Sequence, residues 1–413
     1  MLKALLTTVS LVIVLAVQAQ VIDCNSPRFD QEVFSTVNVT SNVVFGANID
    51  ANGNNLILKM DIYQPAGDTM VARPLIVWAH GGSFLSGSKL DNDVAALCQR
   101  FAKRGYVCAS IDYRLGIPLP INSTNATKAV FRAVQDLKAA IRFFRQDAAT
   151  TNTYQIDPTI IYAGGSSAGA FMALHLAYLD EVSEIPAVVD TNVLGGLEGN
   201  SGNPGYSSSV NAIIDLCGAI GDKTWMKATD IPFCAMHGNV DNTVPYGTAI
   251  IYLLGTFPIM VVDGSYSAAG YADTIGLYNK MYTFYGANHV PYASNAAYMD
   301  TTVSFVSNFL YEDLGCQPRD PFPLPNTFPT SIATTNTANA FTLFPNPATQ
   351  HITISGNQPI RNLKLFDLSG KTLTTLNNIG FSTDLTISSY PPGVYFLRLT
   401  TAVGSEVKKF IVQ

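Results

Sequence analysis

A serine in a glycine-rich turn is the first residue whose setting predicts chemistry. Gly165, Ser167 and Gly169 form the pattern G-x-S-x-G between a strand-forming run and an apolar helical run. A nucleophilic serine needs a sharp, strained turn, so its neighbours must be small enough for the backbone to pass and for a substrate carbonyl to approach. The start of a helix behind the turn favours developing negative charge. We predict that Ser167 is a nucleophile; the alternative is a structural turn that joins a strand to a helix.

A second glycine-rich loop, HGGSF at residues 80–84, directly follows another strand-forming run. Its glycines leave backbone N–H groups free to point at an oxyanion. Ala168 supplies a further N–H group, because it follows the predicted nucleophile. We therefore predict an oxyanion hole made by Gly82, Ser83 and Ala168, and it stays open whether Gly82, Ser83 or both donate. A tight turn without chemistry is the alternative.

One histidine is placed to act as the base for this serine. In a strand–turn–helix site of this type, the acid and the histidine follow the serine along the chain. His289 lies in GANHVP at residues 286–291, where glycine and proline predict a surface loop that can present an imidazole. A solvated loop histidine is the alternative. The other histidines lie in the oxyanion loop, the nucleophile helix, a strand end and the C-terminal segment: His80, His175, His237 and His351.

An aspartate beyond a predicted strand completes the group. Residues 233–245 have the pattern of a strand that ends in a loop displaying Asp241. Open α/β sheets place their sites beyond the carboxyl ends of strands, so this position suits a catalytic carboxylate. Asp263 and Asp215 are the competing candidates. We prefer Asp241, because its strand comes one unit before the segment that bears His289.

The elements around these residues alternate between strands and helices. Repeated strand-then-helix segments predict a mostly parallel, doubly wound sheet with helices on both faces. Two alternating segments around Asn52-Gly53 predict a hairpin at the edge of that sheet. The predicted strands are 75–79, 107–111, 160–163 and 212–216, the helices are 93–103 and 128–145, and the hairpin strands are 43–49 and 56–63.

The C-terminal segment has a different pattern. Short alternating runs separated by turn signals predict a small all-β, immunoglobulin-like antiparallel sandwich. No catalytic group of residues is visible in it. Its predicted strands are 341–344, 351–355, 363–367, 385–387, 394–399 and 407–412.

The two ends of the chain predict export and a division into domains. Residues 1–19 have one lysine, an apolar run and small residues at Val17 and Ala19, which is the layout of a secretory signal peptide. Its run of about 14 apolar residues is shorter than the ~20 that span a bilayer, so we expect no membrane span. The Pro- and Thr-rich residues 317–340 predict a linker between a catalytic domain at 20–316 and a C-terminal domain at 341–413.

Composition and charge exclude other classes of protein. Hydrophobic residues make up 47% and charged residues 13%, so the chain can bury a large core. A net charge of -6 leaves no excess of cations to neutralise phosphates, which argues against nucleic-acid binding. Six cysteines in an exported chain favour disulfides over metal sites, and their pairing stays open. No CxxC pair occurs and the histidines do not cluster, so we expect neither a metal site nor a cofactor.

Together, these motifs resemble those of the α/β-hydrolase carboxylesterases, in particular the secreted group that includes acetyl and feruloyl esterases. The resemblance implies an α/β-hydrolase fold in which Ser167 is the nucleophile, His289 the general base and then acid, and Asp241 its orienting carboxylate. It also implies a structural role for Tyr113 and Arg114. It spans residues 43–312 and rests on HGGSF, DYRL at 112–115, GGSSAG at 164–169, HGNVDNTVP at 237–245 and GANHVP.

The C-terminal segment, 341–413, resembles a type IX secretion system type A sorting domain. This resemblance implies outer-membrane export through the type IX machinery, with the segment serving as an address. A carbohydrate-binding module is the alternative, but such a module usually shows an exposed aromatic platform, and the segment has no tryptophan. The resemblance rests on FPNP at 344–347, LSGK at 368–371, PGVY at 392–395 and KKFIV at 408–412.

The residues predict ester hydrolysis through an acyl-enzyme. Residues 146–279 contain 13 Asp and Glu against only Lys223 and Lys227, so neutral esters are favoured over anionic ones. The polar, Gly-rich residues 195–206 predict an open cleft, which suits a polymer side chain or a short acyl group better than triglyceride. Acetyl or feruloyl groups on plant polysaccharide are the candidate substrates. A polyester hydrolase, a serine peptidase of the same fold and a catalytically inactive binding protein are the alternatives.

Overall fold

The structure is a computed structural model, and it describes residues 22–319, 322, 341–367, 372–401 and 405–413. The predicted signal peptide at 1–19 and most of the predicted linker at 317–340 lie outside the described residues. The predicted domain boundaries therefore stay predictions. By its internal contacts the backbone divides into two units, Met1–Leu324 and Pro325–Gln413, and each is described by itself below.

The N-terminal unit has eleven strands and six α-helices within its described residues. The strands are β1 Val37–Ile49, β2 Asn55–Pro65, β3 Arg73–Ala79, β4 Val107–Ile111, β5 Ile156–Ser166, β6 Ala212–Leu216, β7 Ala219–Ile220, β8 Phe233–Gly238, β9 Thr248–Leu253, β10 Phe257–Gly264 and β11 Asn279–Phe284. The helices are α1 Asn92–Ala102, α2 Ser123–Ala149, α3 Ala168–Tyr178, α4 Thr191–Leu194, α5 Ser265–Ile275 and α6 Ala296–Asp313.

Eight of these strands form one sheet in the order β1-β2-β4-β3-β5-β6-β8-β11. The predicted hairpin β1–β2 is antiparallel, and β2 pairs antiparallel with β4, while the pairs from β4 to β11 are all parallel. β3 and β4 are buried along their whole length, as their apolar runs predict. The predicted α/β-hydrolase fold, with a mostly parallel sheet between helices, is confirmed.

Helix bounds follow from local capping as well as from periodicity. α2 begins earlier than predicted, because the Asn122 side chain accepts a hydrogen bond from the Asn125 N–H at 2.9 Å and caps the first turn. Asn295 caps α6 in the same way through its contact with the Ala297 N–H at 2.9 Å. Within the part of the chain that the structure describes, none of the helices has the length and hydropathy to cross a lipid bilayer.

A small second sheet, in the order β7-β10-β9, was not predicted from the sequence. Its main part is the β9–β10 hairpin, an antiparallel pair inserted between β8 and α5. The hairpin leaves large apolar side chains exposed, including Ile250, Tyr252 and Val261. Its residues therefore lack the simple buried-and-exposed alternation from which a strand is predicted.

The C-terminal unit contains five strands within its described residues. All their named pairings are antiparallel, and the inward side chains of the strands form a core of their own. The predicted strands 351–355 and 363–367 belong to one longer strand, β13 (His351–Phe366). Its register with the next strand, β14 (Thr372–Thr386), shifts between these two segments. The strands are β12 Phe341–Phe344, β13 His351–Phe366, β14 Thr372–Thr386, β15 Gly393–Thr400 and β16 Ser405–Val412.

The cysteines form fewer disulfides than their even number suggested. Cys24 and Cys316 form one disulfide that joins the two ends of the N-terminal unit. The other four are free and buried on separate elements of the core, where a thiol packs as a small apolar group. Those four are Cys98, Cys108, Cys217 and Cys234.

Candidate active site

Ser167 lies at the corner between the end of β5 and the start of α3. Its backbone has φ 54° and ψ −115°, a conformation that is strained for a residue with a Cβ. Its N–H donates to the Leu216 carbonyl at 2.9 Å, and its own carbonyl accepts from the Ala170 N–H at 2.9 Å. These bonds hold the strained turn, and the side chain of Ser167 is turned toward the loops at the carboxyl ends of the strands.

Two glycines allow the backbone to make this corner. A Cβ on Gly165 would lie 2.2 Å from the carbonyl carbon of Gly169. A Cβ on Gly169 would lie 2.0 Å from the Ala79 carbonyl oxygen at the end of β3. Both contacts are with backbone atoms, which cannot move aside as a flexible side chain could. Glycine is therefore required at both positions of the G-x-S-x-G pattern.

His289 bridges Ser167 and Asp241. Its Nε2 lies 2.8 Å from Ser167 Oγ, and its Nδ1 lies 2.6 Å from Asp241 Oδ2. Asn288 fixes the histidine loop to the loop after β8, because its Oδ1 accepts hydrogen bonds from the N–H groups of His289 and Asn242. The structure thus brings the three residues of the predicted triad into one hydrogen-bonded chain.

The Asp241 carboxylate is buried and held on both oxygens. Its Oδ1 accepts from the backbone N–H groups of Thr243 at 2.8 Å and Val244 at 2.9 Å. Burial raises the pKa of this carboxyl, but hydrogen bonds from His237, His289 and Thr243 outweigh it, so the net pKa lies well below the usual value. The carboxylate is therefore ionised and able to stabilise a positive charge on His289.

The two competing aspartates lie elsewhere. Asp263 forms an ion pair with Lys223 at 2.9 Å and accepts from the Thr248 hydroxyl. Asp215 is fully buried and accepts from the Gly218 N–H at 2.8 Å. Neither has a contact with His289 among the described residues.

The predicted oxyanion loop lies against Ser167. A Cβ on Gly81 would lie 3.3 Å from the Ser167 Cβ, so the two segments are in direct contact. The N–H groups of Gly82, Ser83 and Ala168 make no hydrogen bond to the described residues, which leaves them free for a substrate oxygen. Gly82 and Ser83 both have positive φ, of 105° and 56°.

Tyr113 fixes the shape of this loop. Its hydroxyl donates to the His80 carbonyl at 2.9 Å and lies 3.1 Å from the Gly81 carbonyl, and its ring stacks on the His80 imidazole. The neighbouring Arg114 pairs with buried Asp136 at 2.9 Å, on the other side of the strand end. Both residues thus make contacts that hold the loop and the strand end, which is the kind of structural role that the family resemblance implied.

Sequence reasoning missed one residue next to the triad. His237 was set aside as a strand-end residue, yet its Nε2 lies 3.1 Å from Asp241 Oδ2. The signal that could have indicated it is spacing, because His237 precedes Asp241 by four residues across the loop that ends β8. A strand end of this kind brings both side chains to the same edge of the sheet.

An apolar cavity of about 370 Å³ opens beside Ser167. Its walls come from α2, α3 and the β9–β10 hairpin, and include Val130, Phe171, Ile251 and Met260. Residues 195–206, which the sequence predicted to shape an open cleft, are absent from the cavity lining. That segment packs elsewhere: the Ser201 hydroxyl donates to Asp136 at 2.6 Å, and the Ser201 carbonyl accepts from the Ala47 N–H of β1 at 2.9 Å.

Two groups of side chains are close enough together to suggest a metal ion. In the first, ligand atoms of Cys217, Asp241 and His289 lie within 4.8 Å of one another. Burial raises the pKa of the Cys217 thiol, which disfavours the thiolate that would bind a metal. Asp241 and His289 are hydrogen-bonded to each other, so these ligand atoms already have partners within the protein. The second group is exposed and is paired with Lys227: Asp180, Glu181 and Glu184.

Two family models match parts of the chain. Residues 60–222 match the BD-FAE model, and residues 342–413 match the model of the secretion system C-terminal sorting domain. The sorting domain marks the chain as a secreted or cell-surface protein. Over 130 residues the chain is 33% identical to mouse (Mus musculus) Carboxylesterase 3B; this segment is 30% of the chain and spans about a fifth (21%) of that relative.

Solved structures of esterases are also similar to the chain. Thermogutta terrifontis esterase 2 phosphorylated by paraoxon is 25% identical with a TM-score of 0.46, covering 68% of this chain and 95% of that one. A truncated form of carbohydrate esterase from gut microbiota is 20% identical with a TM-score of 0.47, covering 69% and 98%. By the family models, the chain is similar to the BD-FAE family over residues 60–222 and to the secretion system C-terminal sorting domain over residues 342–413.

Proposed function

We propose that the protein is a secreted serine carboxylic ester hydrolase, with Ser167 as the nucleophile, His289 as the general base and then acid, and Asp241 as its orienting carboxylate. The observation that carries this proposal is the continuous chain of hydrogen bonds from Ser167 Oγ through both nitrogens of His289 to Asp241, with lengths of 2.8 and 2.6 Å. The BD-FAE match and the similarity to Carboxylesterase 3B support ester hydrolysis as the reaction.

The reaction proceeds through an acyl-enzyme. Ser167 Oγ bonds to the ester carbonyl carbon while its proton passes to His289 Nε2, and the oxyanion accepts hydrogen bonds from Gly82, Ser83 and Ala168. The bond from carbon to the alcohol oxygen then breaks, and His289 gives its proton to that oxygen. Water next loses a proton to His289 and attacks the acyl carbon. The carboxylic acid leaves, and the proton on His289 returns to Ser167.

The cavity beside Ser167 favours a neutral ester with an apolar acyl group. Val130, Phe171 and Met260 present apolar surface to whatever fills it. Each methylene moved from water into such a site is worth about 0.8 kcal/mol, so a longer acyl chain or a feruloyl group gains more than an acetyl group. Esters of this kind on plant polysaccharide are within the proposal, and acetyl esters are less favoured substrates.

The C-terminal unit supplies the route of export. Its match to a secretion system sorting domain supports recognition by the type IX secretion machinery as the partner of this segment. Ser167, His289 and Asp241 all lie in the N-terminal unit, so we assign the C-terminal unit to export and not to hydrolysis.

Turnover of a series of esters tests the proposal. The full chain would be assayed on p-nitrophenyl acetate, butyrate and octanoate, on methyl ferulate, on acetylated xylan and on a peptide p-nitroanilide. We expect kcat/KM to rise at least about 10-fold from acetate to octanoate, because added methylenes enter the apolar cavity. The peptide amide should not be turned over.

A pair of adjacent serines provides the matched control. Ser167→Ala should lose at least about 10³-fold in kcat, as expected when a nucleophile is removed. Ser166→Ala, next to it in the chain, should keep the same order of turnover, because Ser166 contacts Tyr292 and not His289. A wild-type protein that turns over none of the esters would refute ester hydrolysis, and efficient cleavage of the amide would favour a peptidase.

A further inference from the structure

A second histidine contacts the same carboxylate oxygen as His289. His237 Nε2 and His289 Nδ1 both contact the same oxygen, Asp241 Oδ2, at 3.1 and 2.6 Å. The His237 side chain is fully buried, whereas His289 is partly exposed toward the substrate side. The carboxylate oxygen therefore lies between two imidazoles, only one of which can reach Ser167.

We propose that His237 is a positioning residue for the catalytic reaction: its Nε2–H holds Asp241 Oδ2 in the orientation that receives His289. The inference rests on the proposed function, because it assigns a role relative to the proposed triad. His237 touches neither the substrate nor Ser167, so it acts only through Asp241.

The neighbours of His237 determine which nitrogen carries the proton. Besides Asp241, Nε2 lies 3.2 Å from the Val244 carbonyl oxygen. A carboxylate and a carbonyl can only accept hydrogen bonds, so Nε2 must carry a hydrogen and donate. The hydrogen on Nε2 is therefore fixed by these two acceptors.

The opposite side of the His237 ring is also fixed. Its Nδ1 lies 2.7 Å from the hydroxyl of Ser265, the buried first residue of α5. Ser265 in turn contacts the Gly218 carbonyl at 3.3 Å, after β6. The Tyr246 ring packs edge-on against the imidazole with centroids 5.7 Å apart. A ring held on two edges and one face cannot rotate, so it can hold Asp241 in one orientation.

Loss of this donor should impair catalysis without removing the triad. The Asp241 Oδ1 would keep its two backbone donors, but Oδ2 would be held by His289 alone. Hydrogen bonds to the outer partners of catalytic groups are commonly worth 10- to 100-fold in activity. The contribution of His237 to the low pKa of Asp241 is consistent with a strong interaction between them.

Two substitutions separate positioning from packing. In His237→Gln, the side-chain nitrogen is the same number of bonds from Cβ as Nε2 and can donate to Asp241. In His237→Asn, the side chain reaches only as far as Nδ1, so it keeps a polar contact with Ser265 and loses the donor to Asp241. Both variants would be compared in the full chain with p-nitrophenyl butyrate as substrate.

We expect His237→Asn to lower kcat by about 10- to 100-fold with little change in KM, and His237→Gln to recover most of the loss. The proton shared by His289 and Asp241 should give a far-downfield ¹H NMR resonance that shifts or broadens in His237→Asn and returns in His237→Gln. Equal kcat losses in both variants, with an unchanged resonance, would overturn the positioning role.

The NMR measurement keeps this inference separate from the proposed function. It reports the contact between His289 and Asp241 even in a protein that hydrolyses no ester. If the wild type is inactive on esters but the resonance depends on the donor at position 237, the proposed function fails and the positioning of Asp241 stands. If the wild type is active and the resonance is the same with and without a donor at position 237, only the positioning role fails.

Discussion

At the scale of single residues, four groups contact the Asp241 carboxylate. Its two oxygens receive two imidazole contacts and two backbone N–H groups. Removal of the carboxyl group from water opposes its ionisation, and these four donors favour it more strongly. The net effect is a pKa well below the usual value, which links the site to the stability of the fold.

We expect Asp241 to stabilise the fold by an amount that depends on pH. Because its pKa is lower in the folded than in the unfolded protein, where it is about 3.9, the contribution is complete above about pH 5 and is lost as the pH falls below about 4. Asp241→Asn lacks this titration. The Tm difference between wild type and variant, followed by circular dichroism, should therefore shrink between about pH 5 and 3. A difference that stays constant across that range would contradict the prediction.

At the scale of elements, the corner between β5 and α3 depends on close backbone contact. Ser167 adopts its positive φ because α3 begins immediately after it and packs back against the ends of β3 and β6. Gly169 lies where α3 passes closest to β3, against the Ala79 carbonyl. The helix can approach the sheet this closely only without a side chain at that position.

A pair of glycine-to-alanine substitutions tests this contact. Gly169→Ala should destabilise the fold by roughly 1–3 kcal/mol or more and sharply reduce turnover, because the new Cβ would displace α3 together with Ser167. Gly270→Ala is the matched control: it also lies within a helix, α5, but a Cβ there would meet no atom within 4 Å. That change should stabilise the fold by about 0.5–1 kcal/mol, as is usual in helix interiors. Urea denaturation of both variants measures the difference, and equal effects would show that the contact at Ala79 is not limiting.

At the scale of the whole molecule, both ends of the N-terminal unit, which we call the catalytic unit from here on, are linked to each other and packed against its core. The Cys24–Cys316 disulfide connects them across 292 residues of sequence. Beyond Cys316, the Arg319 N–H donates to Asp30 at 3.1 Å, and the Phe322 ring packs edge-on against two aromatic rings with centroids 5.3 Å apart. The first residues of the predicted linker therefore pack with the catalytic unit.

A comparison of two truncated proteins tests where the catalytic unit ends. A protein that ends at residue 324 keeps Arg319 and Phe322, whereas one that ends at 316 loses both. We expect the shorter protein to be less stable by about 1–2 kcal/mol, because Phe322 is partly buried and full burial of such a side chain is worth about 1.5–3 kcal/mol. It should hydrolyse esters at low temperature like the longer protein. Thermal unfolding of the two proteins measures this difference. Equal Tm values would show that residues 317–324 contribute nothing to the unit.

The sequence by itself determined the features that depend on neighbouring residues. The G-x-S-x-G turn, the HGGSF loop and the buried strands are all written in short segments, because backbone conformation and burial pattern repeat over a few residues. Chain order and the segments in which the other histidines lie then left His289 as the candidate base. These local signals were enough to predict the main sheet and its helices, which the structure confirms, and to nominate Ser167.

Tertiary structure decided the features that join distant segments. The contact of His289 with Asp241 and the contact of His237 with Asp241 depend on which strand ends lie side by side. The pairing of Cys24 with Cys316 depends on the packing of the segment before β1 against the end of α6. The apolar cavity is likewise assembled from α2, α3 and the β9–β10 hairpin, none of which predicts a pocket alone. Contacts between residues far apart in the chain follow from the packing of whole elements, and no local pattern encodes that packing.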